Sequence, residues 1–186
     1  IGKAPEGILE LDNNAIVEEF INVLESSGAS PDTVKAYRAA LKDFIEFIKD
    51  KPLREVTLKD VIEWRNYKLR EGFTKSSGDQ KSRLVTLHYY SLFLNRFFEW
   101  LGLRIKIPRV KKPARRINVL SDEEVEKLLN AARDPLDLII LKLLLDTGLR
   151  SRELLGIRVM DVDLNNKVIR VRETKYGKER FVVVTS

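Results

Sequence analysis

The sequence contains no cysteine and only one histidine, His88. Without cysteine the chain can form no disulfide, thiol nucleophile or thiolate metal site. A single histidine cannot build a histidine-based metal site. Metal chemistry would have to rest on carboxylates alone, and we expect no metal and no other cofactor.

Long apolar runs are also missing. No stretch of about 18 apolar residues occurs, as a membrane-spanning helix would require. The N-terminal residues IGKAPEGILELD include acids and lack the apolar stretch of a signal peptide. We therefore expect no export signal and no membrane partner.

Charge, by contrast, is abundant. Charged residues make up 33% of the 186 residues, and the formal net charge is +6. A positive net charge suits a polyanionic partner, although many basic proteins merely have a solvated surface. The distribution of the cations along the chain is therefore more informative than their number.

Four amphipathic helices are predicted in the first hundred residues, because apolar residues recur there every three or four positions. The second helix has a clear start, with Ser30 as N-cap and Pro31 at the first helical position. A helical bundle of this size can fold independently, and we assign it to residues 1–103. The predicted helices span about residues 13–26, 31–50, 57–72 and 79–101.

The composition changes after residue 103. Residues 104–118, RIKIPRVKKPARRIN, contain seven basic residues, two prolines and no acid. Proline and like charges both disfavour helix formation and compact packing. We therefore predict an extended interdomain linker. It could be a solvated tether, or its cations could contact the phosphates of a nucleic-acid backbone.

Residues 119–186 predict a second domain, whose first half is helical. Ser121 and Glu124 form a capping-box pattern at the start of one helix. The next helix, PLDLIILKLLLDTG, is apolar on nearly all sides, so we expect it to be buried and to end at Gly148. A short helix over about residues 151–156 follows.

The second half of this domain predicts three strands, because the hydrophobic period changes to two. The first two strands lie around an Asn165-Asn166 turn, and TKYGK is the turn before the third. The last strand has no visible partner beyond this hairpin, which we interpret as a truncated α+β domain. The predicted fold class is mainly α with a small antiparallel sheet.

Basic residues also cluster outside the linker. In the second helix Lys35, Arg38 and Lys42 lie on one stripe beside the apolar face. A helix of this kind can enter a major groove of DNA, although such a stripe is often only solvated surface. The start of the fourth helix carries further cations. The predicted DNA-contacting residues are Thr33, Lys35, Arg38, Lys42, Lys81, Arg83, Lys106, Arg109, Lys111, Lys112, Arg115 and Arg116.

The stretch DTGLRSRELLGIRVMDVDL places Arg150 just after the glycine that ends the apolar helix. Alone, this pattern fits an exposed arginine in a capping loop. Together with the later ETKYGKERFVVV, it resembles the active-site motifs of the tyrosine recombinases, the phage integrase and Xer group. The stretch SPDTVKAYRAALKDFIEFI resembles that family's core-binding, SAM-like domain, so the resemblance covers essentially the whole chain.

The resemblance implies roles for individual residues. Arg150 would bind the scissile phosphate, since a planar guanidinium suits the oxygens of a pentacovalent phosphorane. Glu153 would fix the arginine's surroundings. Lys175 would be the general acid for the departing 5′ oxygen, and Lys178 is the alternative to it and otherwise a DNA contact. The turn reads TKYGK where the family often has Gly-Lys-Gly.

Other parts of the family's active site have no counterpart among these 186 residues. The His-x-x-Arg motif, a later His or Trp and the nucleophilic Tyr lie downstream in the family. We therefore expect this chain to bind recombination-site DNA without cleaving it. The full-length protein would recombine DNA through a 3′-phosphotyrosyl intermediate, as a dimer or tetramer, in the cytoplasm and associated with the nucleoid.

Two other functions stay open. The chain could be a naturally truncated, non-catalytic DNA-binding protein that competes for recombination sites. It could also be a helical scaffold whose basic face binds RNA or an acidic protein.

Overall fold

The chain folds into two compact units, Ile1–Arg115 and Arg116–Ser186. In the part of the chain that the structure describes, no helix is long and apolar enough to cross a membrane. The structure, a computed structural model, describes residues 2–73, 79–114, 118–172 and 179–185.

The first unit is helical, and its second helix begins at the cap that the sequence predicts. Its elements are a 3-10 turn (Ile8–Glu10), α1 (Asn13–Ser26), α2 (Pro31–Ile48), a second 3-10 turn (Leu53–Glu55), α3 (Leu58–Glu71) and α4 (Gln80–Trp100). Ser30 Oγ accepts a hydrogen bond from the Thr33 amide, at 3.3 Å, and Pro31 opens α2. Asp12 and Asp79 cap α1 and α4 in the same way.

Aromatic rings join the helices of the first unit. Phe44 of α2 meets Trp64 of α3 edge to face, with 5.5 Å between ring centroids. Phe20 of α1 meets Phe97 of α4 at 5.2 Å. All four side chains are fully buried, and such ring pairs each contribute about 0.5–1.5 kcal/mol beyond the burial of their area. The surface cations of this unit therefore project from a packed framework.

The basic segment after α4 differs from the prediction. Ile107 and Val110 are buried in the core of the first unit, and Ile105 packs against it. The expectation that this segment resists compact packing is wrong for residues 104–112, because apolar residues alternate with the basic ones. Burial alternates from residue to residue over 104–107, as it does along an extended backbone, and after Pro108 and Arg109 Val110 is buried again while the cations stay exposed.

The second unit contains three helices and one small sheet. Its elements are α5 (Asp122–Asn130), α6 (Pro135–Thr147), α7 (Ser151–Leu155), a 3-10 turn (Val159–Asp161), β1 (Val162–Asp163), β2 (Val168–Val171) and β3 (Arg180–Val183). The strands are antiparallel in the order β1-β2-β3, with Ile169 opposite Val162 and Val182. The predicted capping box is present, because the Ser121 amide donates to Glu124 and the Glu124 amide donates to Ser121. The mainly helical fold with a small antiparallel sheet is confirmed.

Helix α6 is less buried than its sequence predicts. Leu136 is 65% exposed and Ile139 is 54% exposed, and none of its residues is fully buried among the described parts of the chain. The prediction of a buried helix is therefore wrong for this structure. An apolar pattern reports what a helix is suited to bury, whereas burial also needs partners on every side.

Candidate phosphate-binding site

A left-handed glycine ends α6 and turns the chain toward the candidate site. Gly148 has φ 62° and ψ 26°, and its amide donates to the Leu144 carbonyl at 3.1 Å. The Thr147 hydroxyl donates to the Leu143 carbonyl at 2.5 Å. Leu149 is then buried, which anchors the chain immediately before Arg150.

Arg150 is the N-cap residue of α7 and reaches the solvent. Its backbone amide donates to Glu153 Oε2 at 2.8 Å, and its Nη1 donates to Glu153 Oε1 at 2.9 Å. The side chain of Arg150 is 59% exposed, whereas that of Glu153 is 2% exposed. The carboxylate thus fixes one edge of the guanidinium while the group stays open to an anion from solution.

A second arginine approaches the same carboxylate from β3. Arg180 donates from Nη1 to Glu153 Oε1 at 2.7 Å and from Nη2 to Oε2 at 2.9 Å. This parallel pair is the bidentate geometry in which arginine binds carboxylates most strongly. Glu153 therefore joins α7 to the sheet.

The two arginines keep Glu153 ionised. Hydrogen bonds from Arg180 and from the Arg150 amide lower the pKa of Glu153 from 4.5 to about 2, against the opposing effect of burial. One buried negative charge then faces two guanidinium groups, so the cluster carries one excess positive charge. That charge is most accessible at Arg150, where an incoming oxyanion would meet planar, preorientated donors.

A second buried carboxylate, Asp161, holds the residue that directly follows β2. Asp161 Oδ1 accepts a hydrogen bond from Arg172 Nε at 2.5 Å, and Oδ2 accepts one from the Arg158 amide at 3.2 Å. Arg172 directly follows β2, and Arg180 begins β3. The described residues on either side of the predicted turn are therefore held by buried carboxylates. The predicted lysines Lys175 and Lys178 lie outside the described residues.

The predicted contact stripe on α2 is only partly available to a ligand. Thr33, Lys35 and Lys42 are exposed. Arg38 instead forms an ion pair with Glu18 of α1. An exposed pair of this kind contributes little to stability and can exchange for a phosphate, but its charge is partly neutralised in this structure.

The two cations at the start of α4 also differ in whether the side chain is exposed or bonded to the protein. Lys81 is exposed. Arg83 donates from Nη1 to the carbonyls of Leu69 and Arg70, at 3.1 and 2.6 Å. These carbonyls belong to the last turn of α3, where a cation offsets the helix dipole. Arg83 therefore has a structural partner that the sequence pattern did not suggest.

The basic segment presents its cations on the outside. Lys106, Arg109 and Lys111 are exposed. Lys112 donates to the Tyr89 hydroxyl at 2.8 Å, with its ammonium 4.7 Å from the ring centroid. Arg115 and Arg116 lie outside the described residues.

Several residues that shape these sites were missed at the sequence level. Arg180 lies within the stretch ETKYGKERFVVV, but its partner Glu153 is 27 positions away and no short-range pattern joins the two. Asp161 and Arg172 likewise gave no pairing signal. Among the described residues, no group of three or more His, Asp or Glu side chains could hold a metal ion.

Both units match models of known protein families. Residues 118–186 match the model described as phage integrase family, and residues 16–85 match that of the phage integrase N-terminal SAM-like domain. The predicted SAM-like character of the N-terminal helices is thereby confirmed.

Two curated relatives illustrate the similarity. The tyrosine recombinase XerA of Saccharolobus solfataricus is 39% identical over 188 residues, which cover 100% of this chain and 62% of the relative. The tyrosine recombinase XerD of Proteus mirabilis is 32% identical, over 92% of this chain and 56% of the relative. The chain thus spans about 60% of the length of these relatives.

Solved structures show the same fold. A lambda integrase dimer bound to a COC′ core site has a TM-score of 0.73 at 18% identity, over 91% of this chain and 48% of that chain. A lambda integrase tetramer bound to a Holliday junction has a TM-score of 0.73 at 19% identity, over 100% of this chain and 56% of that chain.

Proposed function

The chain belongs to the tyrosine recombinase family, and on that basis we propose that it binds duplex DNA as part of a site-specific recombinase. The observation that carries this proposal is the half-exposed Arg150, held by the buried Glu153. Glu153 is held in turn by Arg180. An arginine fixed on one edge and open on the other is suited to receive a phosphodiester.

Arg150 supplies electrostatic stabilisation in the proposed reaction. Attack on a phosphodiester passes through a phosphorane that carries extra negative charge on its non-bridging oxygens. Donors that are already orientated toward these oxygens need no reorganisation when the charge develops. Glu153 supports this role because its lowered pKa keeps it a carboxylate, which holds the guanidinium without taking its proton.

We assign the general acid to Lys175, with Lys178 as the alternative. The acid protonates the 5′ oxygen as it leaves, and a lysine ammonium can do so. The ion pairs Arg172–Asp161 and Arg180–Glu153 support this assignment, because they hold the residues on either side of the segment that contains both lysines. The active species would be a dimer or tetramer on DNA in the cytoplasm.

DNA affinity is assigned to the exposed cations of the first unit. Lys35 and Lys42 extend from α2, and Lys106, Arg109 and Lys111 extend from the basic segment. Contacts to phosphates supply affinity and position without reading base sequence. We therefore expect salt-dependent binding by the first unit to duplexes of unrelated sequence.

Cleavage by this polypeptide alone is not expected. The 186 residues contain no His-x-x-Arg motif, and the second unit has a single tyrosine, Tyr176, which does not match the family's nucleophile motif. A nicked suicide substrate traps any phosphotyrosyl adduct, so the chain should leave such a substrate unmodified. A covalent adduct on denaturing gels would overturn this part of the proposal.

Titration with duplex DNA at two salt concentrations tests the binding function. A protein that contacts 6–10 phosphates loses about 10³–10⁵ in affinity between 50 and 200 mM salt. Binding of that kind to duplex DNA supports the proposal. Binding without salt dependence, or stronger binding to RNA or an acidic protein than to DNA, would contradict it and favour a scaffold.

The reading frame beyond Ser186 tests the remaining alternative, because an immediate stop codon favours a non-catalytic competitor for recombination sites.

A further inference from the structure

Residues 104–112, which we call the basic strap, have two distinct faces. Ile105, Ile107 and Val110 face the helical core of the first unit. Five cations of the segment are exposed, and the segment contains no acid. Across the described residues, no ion pair engages any of these five, which are Arg104, Lys106, Arg109, Lys111 and Lys112.

Asn95 of α4 holds the strap by its backbone. Its Nδ2 donates to the Ile107 carbonyl at 3.3 Å, and its Oδ1 accepts the Ile107 amide at 2.9 Å. One side chain thus satisfies both polar groups of one strap residue, as a neighbouring β-strand would.

Two further side chains hold neighbouring carbonyls. Arg65 of α3 donates from Nη1 to the Pro108 carbonyl at 2.9 Å. His88 of α4 places Nδ1 2.9 Å from the Val110 carbonyl. Contacts from two helices therefore meet the strap within four consecutive residues.

These contacts fix the register of the strap. A shift of one residue along an extended chain would move the apolar side chains to the solvent and the cations to the core. The hydrogen bonds at Ile107 and Val110 and the burial of both side chains oppose such a shift.

We propose that Arg65, His88 and Asn95 are positioning residues that hold the basic strap in one register, so that its cations form a preorganised array for the phosphates of duplex DNA. This inference rests on the proposed function and deepens it. A free tether of equal charge would have to lose backbone and side-chain freedom on binding, whereas the docked strap has already lost its backbone freedom on folding.

The variant Asn95→Ala tests the proposal, because it removes two hydrogen bonds and no charge. The chain offers a matched control in Asn13, whose Nδ2 donates to the Lys51 carbonyl and whose Oδ1 accepts the Leu53 amide, each at 3.0 Å. Asn13→Ala therefore removes the same pair of bonds from a loop that lies outside the strap. Any effect of lost stability alone should appear in both variants.

Two readouts are needed, amide hydrogen exchange at Ile107 and DNA affinity as a function of salt. In Asn95→Ala we expect Ile107 exchange to accelerate, DNA affinity at low salt to fall about tenfold, and the salt slope to shrink by about one to two. Asn13→Ala should leave all three unchanged. His88→Ala, which removes an independent contact, should shift the readouts in the same direction as Asn95→Ala, and circular dichroism confirms that each variant is folded.

The possible failures are distinguishable. If Ile107 exchanges rapidly in the unmodified chain, the strap is not docked and the inference is wrong. If exchange accelerates in Asn95→Ala while DNA affinity matches that of Asn13→Ala, docking does not serve binding and the inference is wrong although the proposed function stands. If the unmodified chain shows no salt-dependent binding to DNA, the proposed function fails, and the inference with it.

Discussion

Arg180 and Glu153 are joined by two parallel hydrogen bonds, of 2.7 and 2.9 Å, across 27 positions of sequence. Their pairing brings the first residue of β3 to the carboxylate that also holds Arg150. The geometry of the candidate phosphate site therefore depends on a strand that contributes no group to the phosphate itself.

Replacing Arg180 should destabilise the second unit. Arg180→Met leaves the buried Glu153 with Arg150 as its remaining partner among the described residues, and loss of hydrogen bonds to a charged group costs about 2 kcal/mol. Urea unfolding, followed by the methyl NMR signals of the buried Ile169 and Val171, measures this loss.

Arg170→Met is the matched control for that experiment. Arg170 pairs with Glu179 on the exposed side of the same sheet, so its removal should cost less than about 1 kcal/mol. Equal losses of stability in the two variants would show that burial of Glu153 does not make its pair with Arg180 stronger than the exposed pair of Arg170 with Glu179.

The stability of the second unit should fall at acidic pH because of Glu153. Its pKa is lowered to about 2 in the folded chain from an ordinary value of 4.5. A lowered pKa stabilises the folded state fully above the unfolded value, and this stabilisation is lost as the pH falls from about 5 toward 2. The unit should therefore unfold more readily through this window.

Glu153→Gln isolates this contribution. The variant should be less stable at neutral pH, because its amide cannot replace the charged hydrogen bonds, but its stability should vary less between pH 5 and 2. Midpoints of unfolding measured at several pH values for both chains provide the comparison. Parallel pH profiles would contradict a lowered pKa at Glu153.

Gly148→Ala should strain the turn before Arg150. Among the described residues, no atom outside the two chain neighbours lies within 4 Å of the position that a β-carbon would take, so the penalty comes from the left-handed backbone, at about 1 kcal/mol. Gly156→Ala is the control, because Gly156 has φ −89° and alanine adopts that conformation without strain. Thermal unfolding should separate the two variants, and similar midpoints would argue against a conformational requirement at Gly148.

Neutralising the cations on α2 should change the salt dependence of DNA binding. In the double variant Lys35→Gln and Lys42→Gln, each lost phosphate contact should reduce the salt slope by about one, with weaker binding to all sequences. Lys59 of α3 is exposed and lies outside the predicted contact set, so Lys59→Gln serves as control. An unchanged slope in the double variant would remove α2 from the binding surface.

Local signals made most of the fold predictable from sequence. Helix caps such as Ser30 and Ser121 act within three residues, so the pattern that predicts them also contains their hydrogen-bond partners. Burial of α6 could not be predicted in this way, because it depends on surfaces elsewhere. The docking of the basic strap was missed because one charge-rich pattern describes both a solvated tether and a strand with an apolar inner face.

The residues of the candidate site likewise include some that a local sequence pattern identifies and some that it does not. Arg150 and Glu153 are neighbours on one helical turn, and a motif can therefore name them both. Arg180 meets them only after the sheet has formed, and Asn95 gives no signal in the middle of a helix. Pairings of this kind follow from tertiary structure, which short-range patterns do not contain.

The residues on either side of the segment 173–179, Arg172 and Arg180, are anchored by ion pairs to buried carboxylates, one at Asp161 and one at Glu153. The free energy of closing a loop grows only slowly with its length, so residues can be added or removed between these anchors at small cost to the unit. The reach of the proposed acid can then change over evolution while the arginine that receives the phosphate keeps its position. The proposed acid and the phosphate-binding arginine can therefore change independently of each other.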